Sequence, residues 1–163
     1  MKKLLFLAAA FVTGFAAMAQ QKADDVAKLS ADQYSFGKIK QGVPVTTYFT
    51  ITNISDKPLV IESAWAGCGC TTPEWSKEPI APKGTSKLKV GYNAANAAPF
   101  TKEVYVKFAG IQEPKVVRIT GEVLEPKAYD TYTQSDEFKK DEKARLDQEA
   151  KEAKKAEKKG GKA

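Results

Sequence analysis

Val45-Thr46-Thr47-Tyr48-Phe49-Thr50-Ile51-Thr52 is the stretch from which the fold is read. Val45, Thr47, Phe49 and Ile51 alternate with Thr46, Tyr48, Thr50 and Thr52, and most of these residues are β-branched or aromatic. Successive side chains of a strand point to opposite faces, so a period of two with these types is a strand with one buried face and one wet face. The next six residues, Asn53-Ile54-Ser55-Asp56-Lys57-Pro58, are a turn signal.

The same period returns on either side. Leu59, Ile61, Ser63 and Trp65 share one face, with Val60 and Glu62 on the other. Leu88, Val90 and Tyr92 alternate with Lys87, Lys89 and Gly91. Val104, Val106 and Phe108 alternate with Glu103, Tyr105 and Lys107. Val117, Ile119, Gly121 and Val123 alternate with Val116, Arg118, Thr120 and Glu122. Upstream, Tyr34 and Phe36 are two apart and stop at Gly37, while Pro79, Pro82 and Gly84 mark loops. Short alternating strands separated by turns predict an all-β fold, an antiparallel β-sandwich of about seven strands over residues 31–124. The clean alternation disfavours a parallel sheet covered by helices on both faces.

The ends differ in composition. Met1-Lys2-Lys3, an apolar run from Leu4 to Ala17, and Ala17-Met18-Ala19 have the basic start, apolar middle and small-residue end of a signal peptide, residues 1–19. The run is too short to cross a bilayer, which takes about 20 residues. No cysteine follows it for lipid attachment. The expectation is an exported chain, periplasmic or secreted, with no transmembrane segment in its mature part. Residues 20–30 are polar and read as a flexible leader. Residues 125–163 carry 11 Lys/Arg and 10 Asp/Glu. Tyr129 and Tyr132 flank a polar connector, and from Ser135 onward only Phe138 and Leu146 are large and apolar. Asp141–Arg145 and Asp147–Lys151 are acid-to-base pairs at helical spacing. This predicts a charged, helical or disordered tail that two apolar residues do not dock firmly.

Charge and composition exclude several functions. Removing Lys2 and Lys3 from the 26 basic residues leaves 24 against 20 acidic ones, a net of +4. The charges are interleaved, so nothing calls for a nucleic-acid partner. The chain has no histidine, which removes histidine-based triads and mixed Cys/His zinc sites from within it. No phosphate-cradling glycine loop, nucleophile elbow or placeable carboxylate pair is present, and no cofactor is implied. Glu74 and Glu78 lie near the cysteines without a paired base. Asn53-Ile54-Ser55 matches a glycosylation sequon, a short pattern that arises often by chance.

Both cysteines and both tryptophans fall within Trp65-Ala66-Gly67-Cys68-Gly69-Cys70-Thr71-Thr72-Pro73-Glu74-Trp75. Cys68 and Cys70 are the candidate site, with Trp65, Gly67, Gly69, Thr71 and Trp75 as its supporting loop. Two thiols separated by one residue suit a local disulfide, a redox pair or a metal pincer. An oxidising compartment favours the disulfide, with Gly69 supplying unusual backbone angles for the tight ring. Chain entropy for three residues gives such a bond only about 1.6 kcal/mol. Two thiolates do not complete a tetrahedral zinc site, and copper(I) accepts fewer and softer ligands. The thiols can equally be small buried residues in the core, with Trp65 packed on them.

Phe36-Gly37-Lys38-Ile39, the run Phe49 to Leu59, Gly67-Cys68-Gly69-Cys70-Thr71 and Thr120-Gly121-Glu122-Val123 resemble the family named domain of unknown function 1573. The likeness covers residues 35–124 and extends to the immunoglobulin-like sandwiches of the major-sperm-protein, pilus-chaperone and Hydin groups. The resemblance implies an immunoglobulin-like fold and export from Bacteroidetes-type bacteria, and no established activity. The tail lies outside the family pattern. The resulting expectation is an exported, non-catalytic immunoglobulin-like binding module of the cell envelope whose partner is another envelope protein. The alternative is a thiol site at Cys68 and Cys70 for soft-metal capture or disulfide exchange.

Overall fold

A computed structural model describes residues 21–160. The expected signal peptide, residues 1–19, lies outside them. In chain order the strands are β1 (Ala27–Leu29), β2 (Gln33–Lys40), β3 (Val45–Asn53), β4 (Ile61–Ala66), β5 (Thr71–Trp75), β6 (Thr85–Tyr92), β7 (Pro99–Phe108) and β8 (Lys115–Leu124). Helices α1 (Ala23–Val26), α2 (Pro126–Thr133) and α3 (Asp136–Gly160) flank them. The strands form two four-stranded sheets, one ordered β1-β3-β6-β5 and the other β2-β8-β7-β4. The fold is thus the expected all-β, immunoglobulin-like sandwich, with eight strands instead of seven. Its one departure from antiparallel pairing is β2, which runs parallel to β8.

Between the sheets the predicted alternation holds. Phe49, Ile51, Leu88 and Val90 from one sheet meet Val104, Val106, Phe108, Val117 and Ile119 from the other, all buried. Tyr92 stacks on Phe100 across the sheets, with ring centroids 4.0 Å apart. Phe100 lies opposite Gly121 in the β7–β8 ladder. A Cβ at Gly121 would come within 2.8 Å of that ring and of the Gly37 carbonyl, so the close approach requires glycine there.

Three local readings are corrected. Of the expected leader, residues 20–30, the described part from 21 onward is not simply flexible. Ala23, Val26 and Ala27 are buried, and Ala27 to Leu29 pair with Asn53 to Ile51 of β3. These small apolar side chains cover the sheet end without producing a visible periodic pattern. The first long strand also does not stop at Gly37. β2 continues to Lys40 through a register shift between Ser35 and Lys38, with Gly37 at φ +66°. The extra residue changes the alternation, so Phe36 and then Ile39 turn toward the core.

The third correction moves Trp65. Ile61 opposes Phe108, but Ser63 opposes Lys107, leaving Glu62 as an extra residue in β4. One inserted residue exchanges the two faces for everything after it. Ala64 and Ala66 therefore join Val106 and Val104 on the inner face, and Trp65 joins Tyr105 on the outer one. Trp65 is 43% exposed and is not a core residue.

The tail is helical, and its first part is docked. Pro126 opens α2, where a missing N–H costs nothing. Tyr132 is buried at 9% exposure. Lys38 Nζ sits 4.9 Å from the centre of its ring and pairs with Glu137 at 2.6 Å. Lys40 pairs with Asp130 at 2.8 Å, and Phe138 meets Tyr132 edge-on. Lysine ammonium groups over the two tyrosine rings, with their ion pairs and the Phe138–Tyr132 contact, hold the start of the tail.

Candidate functional site

The cysteine stretch is the corner at which the chain leaves one sheet for the other. β4 ends at Ala66 on the edge of one sheet, and β5 starts at Thr71 on the edge of the opposite sheet. Cys68 and Cys70 are joined in a disulfide, with Cα atoms 5.3 Å apart. The Thr71 N–H donates to the Cys68 carbonyl at 3.3 Å, and the Asn93 N–H donates to the Cys70 carbonyl at 3.0 Å. Thr71 is buried beneath the pair, its Oγ1 3.9 and 3.8 Å from the two sulfurs. Gly67 and Gly69 face open space. Gly69 stays outside the left-handed region, so the ring closes without the unusual angles expected of it. Bonded to each other, the sulfurs offer no thiolate, and this state acts as a lock on the corner.

The two tryptophans have separate duties. Trp75 opposes Leu88 on the inner face of β5. Its indole N–H donates to the Ile61 carbonyl at 3.2 Å, tying the edge of one sheet to the edge of the other. Trp65 instead stands on the outer face. Its ring stacks on Tyr105 with centroids 5.5 Å apart and planes 12° from parallel. Tyr105 in turn opposes the half-buried Val116. Trp65, Tyr105 and Val116 thus form an apolar row across β4, β7 and β8.

A polar pair borders that row. The Tyr105 hydroxyl donates to Glu103 Oε2 at 2.7 Å, and Arg118 Nε donates to Glu103 Oε1 at 2.9 Å. These two donors hold the Glu103 carboxyl below its ordinary pKa, and the same carboxylate raises the Tyr105 phenol. Cys68 and Cys70 were legible in the sequence, whereas Tyr105, Val116, Glu103 and Arg118 were not singled out. The signal available was an aromatic residue and a β-branched one on the predicted wet faces of neighbouring strands.

The other candidates resolve into structure. Asn53 is fully buried, and its side-chain N–H groups donate to the Lys57 and Ile80 carbonyls at 2.7 and 2.9 Å. Its sequon is therefore closed to a glycan. Glu74 pairs with Lys89 across the β5–β6 ladder at 3.1 Å. Among the described residues no three Cys, His, Asp or Glu side chains gather as metal ligands.

A family model described as protein of unknown function (DUF1573) matches residues 27–123. The chain belongs to that family. The DUF1573 match opens at β1, and α2 and α3 lie beyond it. No curated protein matches the sequence significantly. Among solved structures, this DUF1573 chain is similar to a protein of unknown function from Porphyromonas gingivalis W83, at 15% identity and a TM-score of 0.52, over 60% of this chain and 46% of that one. It is also similar to the Vibrio cholerae VesB protease, at 16% identity and 0.50, over 62% and 33% of the two chains. A third likeness is to WR4, a C. elegans MSP family member, at 13% and 0.46, over 59% and 97%. The chain spans less than half the length of the first two, and at these identities the likeness is one of fold. Among the described residues no helix is long and apolar enough to cross a membrane.

Proposed function

We propose that the protein is a non-catalytic, immunoglobulin-like binding module, exported to the cell envelope, that holds another envelope protein against the outer face of the β2-β8-β7-β4 sheet. The observation that carries this reading is Trp65, 43% exposed and stacked on Tyr105 beside the Glu103–Arg118 pair. Trp, Tyr and Arg are the residue types that dominate binding energy at protein interfaces. A flat ring already braced by a neighbour loses little freedom when a partner covers it. The bulge at Glu62 supports the reading, because it turns Trp65 outward and places two alanines in the core instead.

The experiment is affinity capture from envelope extract with the wild-type chain, a Trp65→Ala/Arg118→Ala variant and a Cys68→Ser/Cys70→Ser variant. A partner held by the wild type and the cysteine variant, and lost by the face variant, is the expected result. A partner lost only with the cysteines would replace this reading with the thiol site.

A further inference from the structure

The free edge of β2 lines a groove that none of the functional readings above uses. It has a volume of about 800 Å³, within the range of sites that bury a ligand. Six consecutive residues of β2, from Ser35 to Lys40, line it. Side chains alternate across a strand, so a cavity that touches every residue in turn wraps the backbone edge; it also reaches over the sheet to Gly121 and Glu122 of β8. The Arg118 N–H donates to the Asp32 carbonyl, and the Gln41 N–H donates to the Leu124 carbonyl. In a parallel ladder these bonds set the phase on each side of the bulge. The main-chain groups of Ser35 and Lys38 consequently point away from β8, into the groove. Phe36, Ile39 and Val45 give it an apolar floor, and Phe138 of α3 stands on the opposite wall.

The edge of β5, beside the corner at the cysteines, is closed over its first half. The Asn93 N–H bond to the Cys70 carbonyl sets the β5–β6 phase, so that residues 71, 73 and 75 direct their N–H groups outward. Thr71 spends its N–H on Cys68, and Pro73 has none.

We infer that the groove between β2 and α3 binds an extended peptide of alternating apolar and polar residues, which adds as a strand to the edge of β2 with its apolar side chains on Phe36, Ile39 and Phe138. Only another extended main chain matches outward main-chain groups above and below an apolar floor. The wall from α3 lies outside the residues shared with the family, so the site belongs to this chain with its tail. It lies at the opposite edge of the sheet from β4, which carries Trp65, and does not depend on the Trp65 face.

The test pans a phage-displayed library of unstructured dodecapeptides on the full chain and measures the best binder by fluorescence anisotropy. The variants are Ser35→Pro, Phe138→Ala and Trp65→Ala, each checked for a wild-type circular dichroism spectrum. Ser35→Pro removes one outward N–H together with the Oγ that accepts from the Gly37 N–H at 3.3 Å, so Ser35→Ala, expected to bind like the wild type, is its control, and Phe138→Ala tests the wall should the proline variant not fold. The expected result is a binder with alternating apolar residues that weakens tenfold or more in Ser35→Pro and Phe138→Ala and less than twofold in Trp65→Ala. Hydrogen exchange at the Ser35 and Lys38 amides should slow in the presence of that peptide. No enriched peptide, binding lost only with Trp65, or unchanged exchange at both amides would overturn the inference. So would concentration-dependent dimers abolished by Ser35→Pro, which would assign the edge to a second copy.

Discussion

Asn53 offers the sharpest test of how the sandwich is held. It ends β3, is fully buried, and makes four side-chain hydrogen bonds. Its Nδ2 donates to the Lys57 and Ile80 carbonyls, and its Oδ1 accepts from the Ser55 N–H and hydroxyl at 3.0 and 2.7 Å. Each net bond is worth about 1 kcal/mol, and a buried group left without its partner costs more than the bond itself. Asn53→Ala should therefore cost about 3 kcal/mol, allowing for some relaxation at Lys57. For a chain of this size that is a fall of roughly 6 to 12 °C in melting temperature. Asn53→Asp should be at least as damaging at neutral pH, because a carboxylate would face two carbonyls. Its folded-state pKa is then raised, so stability returns as pH falls and the regained O–H donates to one of them. Urea unfolding of the wild type, Asn53→Ala and Asn53→Asp at pH 7 and pH 4 reads all of this. A loss below about 1 kcal/mol for Asn53→Ala, or no recovery of Asn53→Asp at pH 4, would refute the role given to this network.

Other perturbations separate lock, brace and dock. Reducing Cys68–Cys70, or Cys68→Ser/Cys70→Ser, should cost no more than about 1.6 kcal/mol in urea unfolding, because the ring closes three residues and two main-chain bonds still hold the corner. Trp75→Phe removes the indole bond to Ile61 and should cost about 1 kcal/mol by the same measurement, whereas the exposed Trp65→Phe should cost less. Burial first and the bond to Asp141 second hold the Tyr132 phenol above its ordinary value. The docked tail thus keeps a proton that a detached one releases, and docking is secure below about pH 10 and lost as pH rises further. Alkaline titration of Tyr132 by nuclear magnetic resonance should show this, and Tyr132→Phe should reduce the pH dependence to the part carried by Lys38, whose ammonium Glu137 holds above its ordinary value.

The parts of the fold legible in sequence are those in which one pleat face is buried and the other wet. Phe49, Leu88, Val104 and Val117 sit where period-two reading puts them, because nothing interrupts the alternation of β3, β6, β7 and β8. The reading lost Trp65 because a single extra residue, Glu62, leaves no mark in a hydrophobic pattern and still exchanges the faces beyond it. It lost β1 because Ala23, Val26 and Ala27 gain their burial from β3 and from the sheet edge, not from a periodic stripe. It undervalued the tail because Tyr129 and Tyr132 only flank a polar connector in sequence, whereas in the fold they lie under the ammonium groups of Lys40 and Lys38. Of the site, the spacing of Cys68 and Cys70 marked the pair but left disulfide, redox pair, metal pincer and buried thiols open, and it is the structure that joins the two sulfurs. The face built on Tyr105, Val116 and Arg118 arises from cross-strand register, which no local pattern encodes.

Site-specific photocrosslinking in living cells tests the binding face most directly. A photoreactive phenylalanine analogue would replace Tyr105 in one strain and Tyr48, which is 57% exposed on the outer face of the opposite sheet, in another. A discrete adduct with one envelope protein at position 105, and none at position 48, is the expected outcome. No adduct at position 105, or the same adducts at both positions, would contradict the assignment of this face.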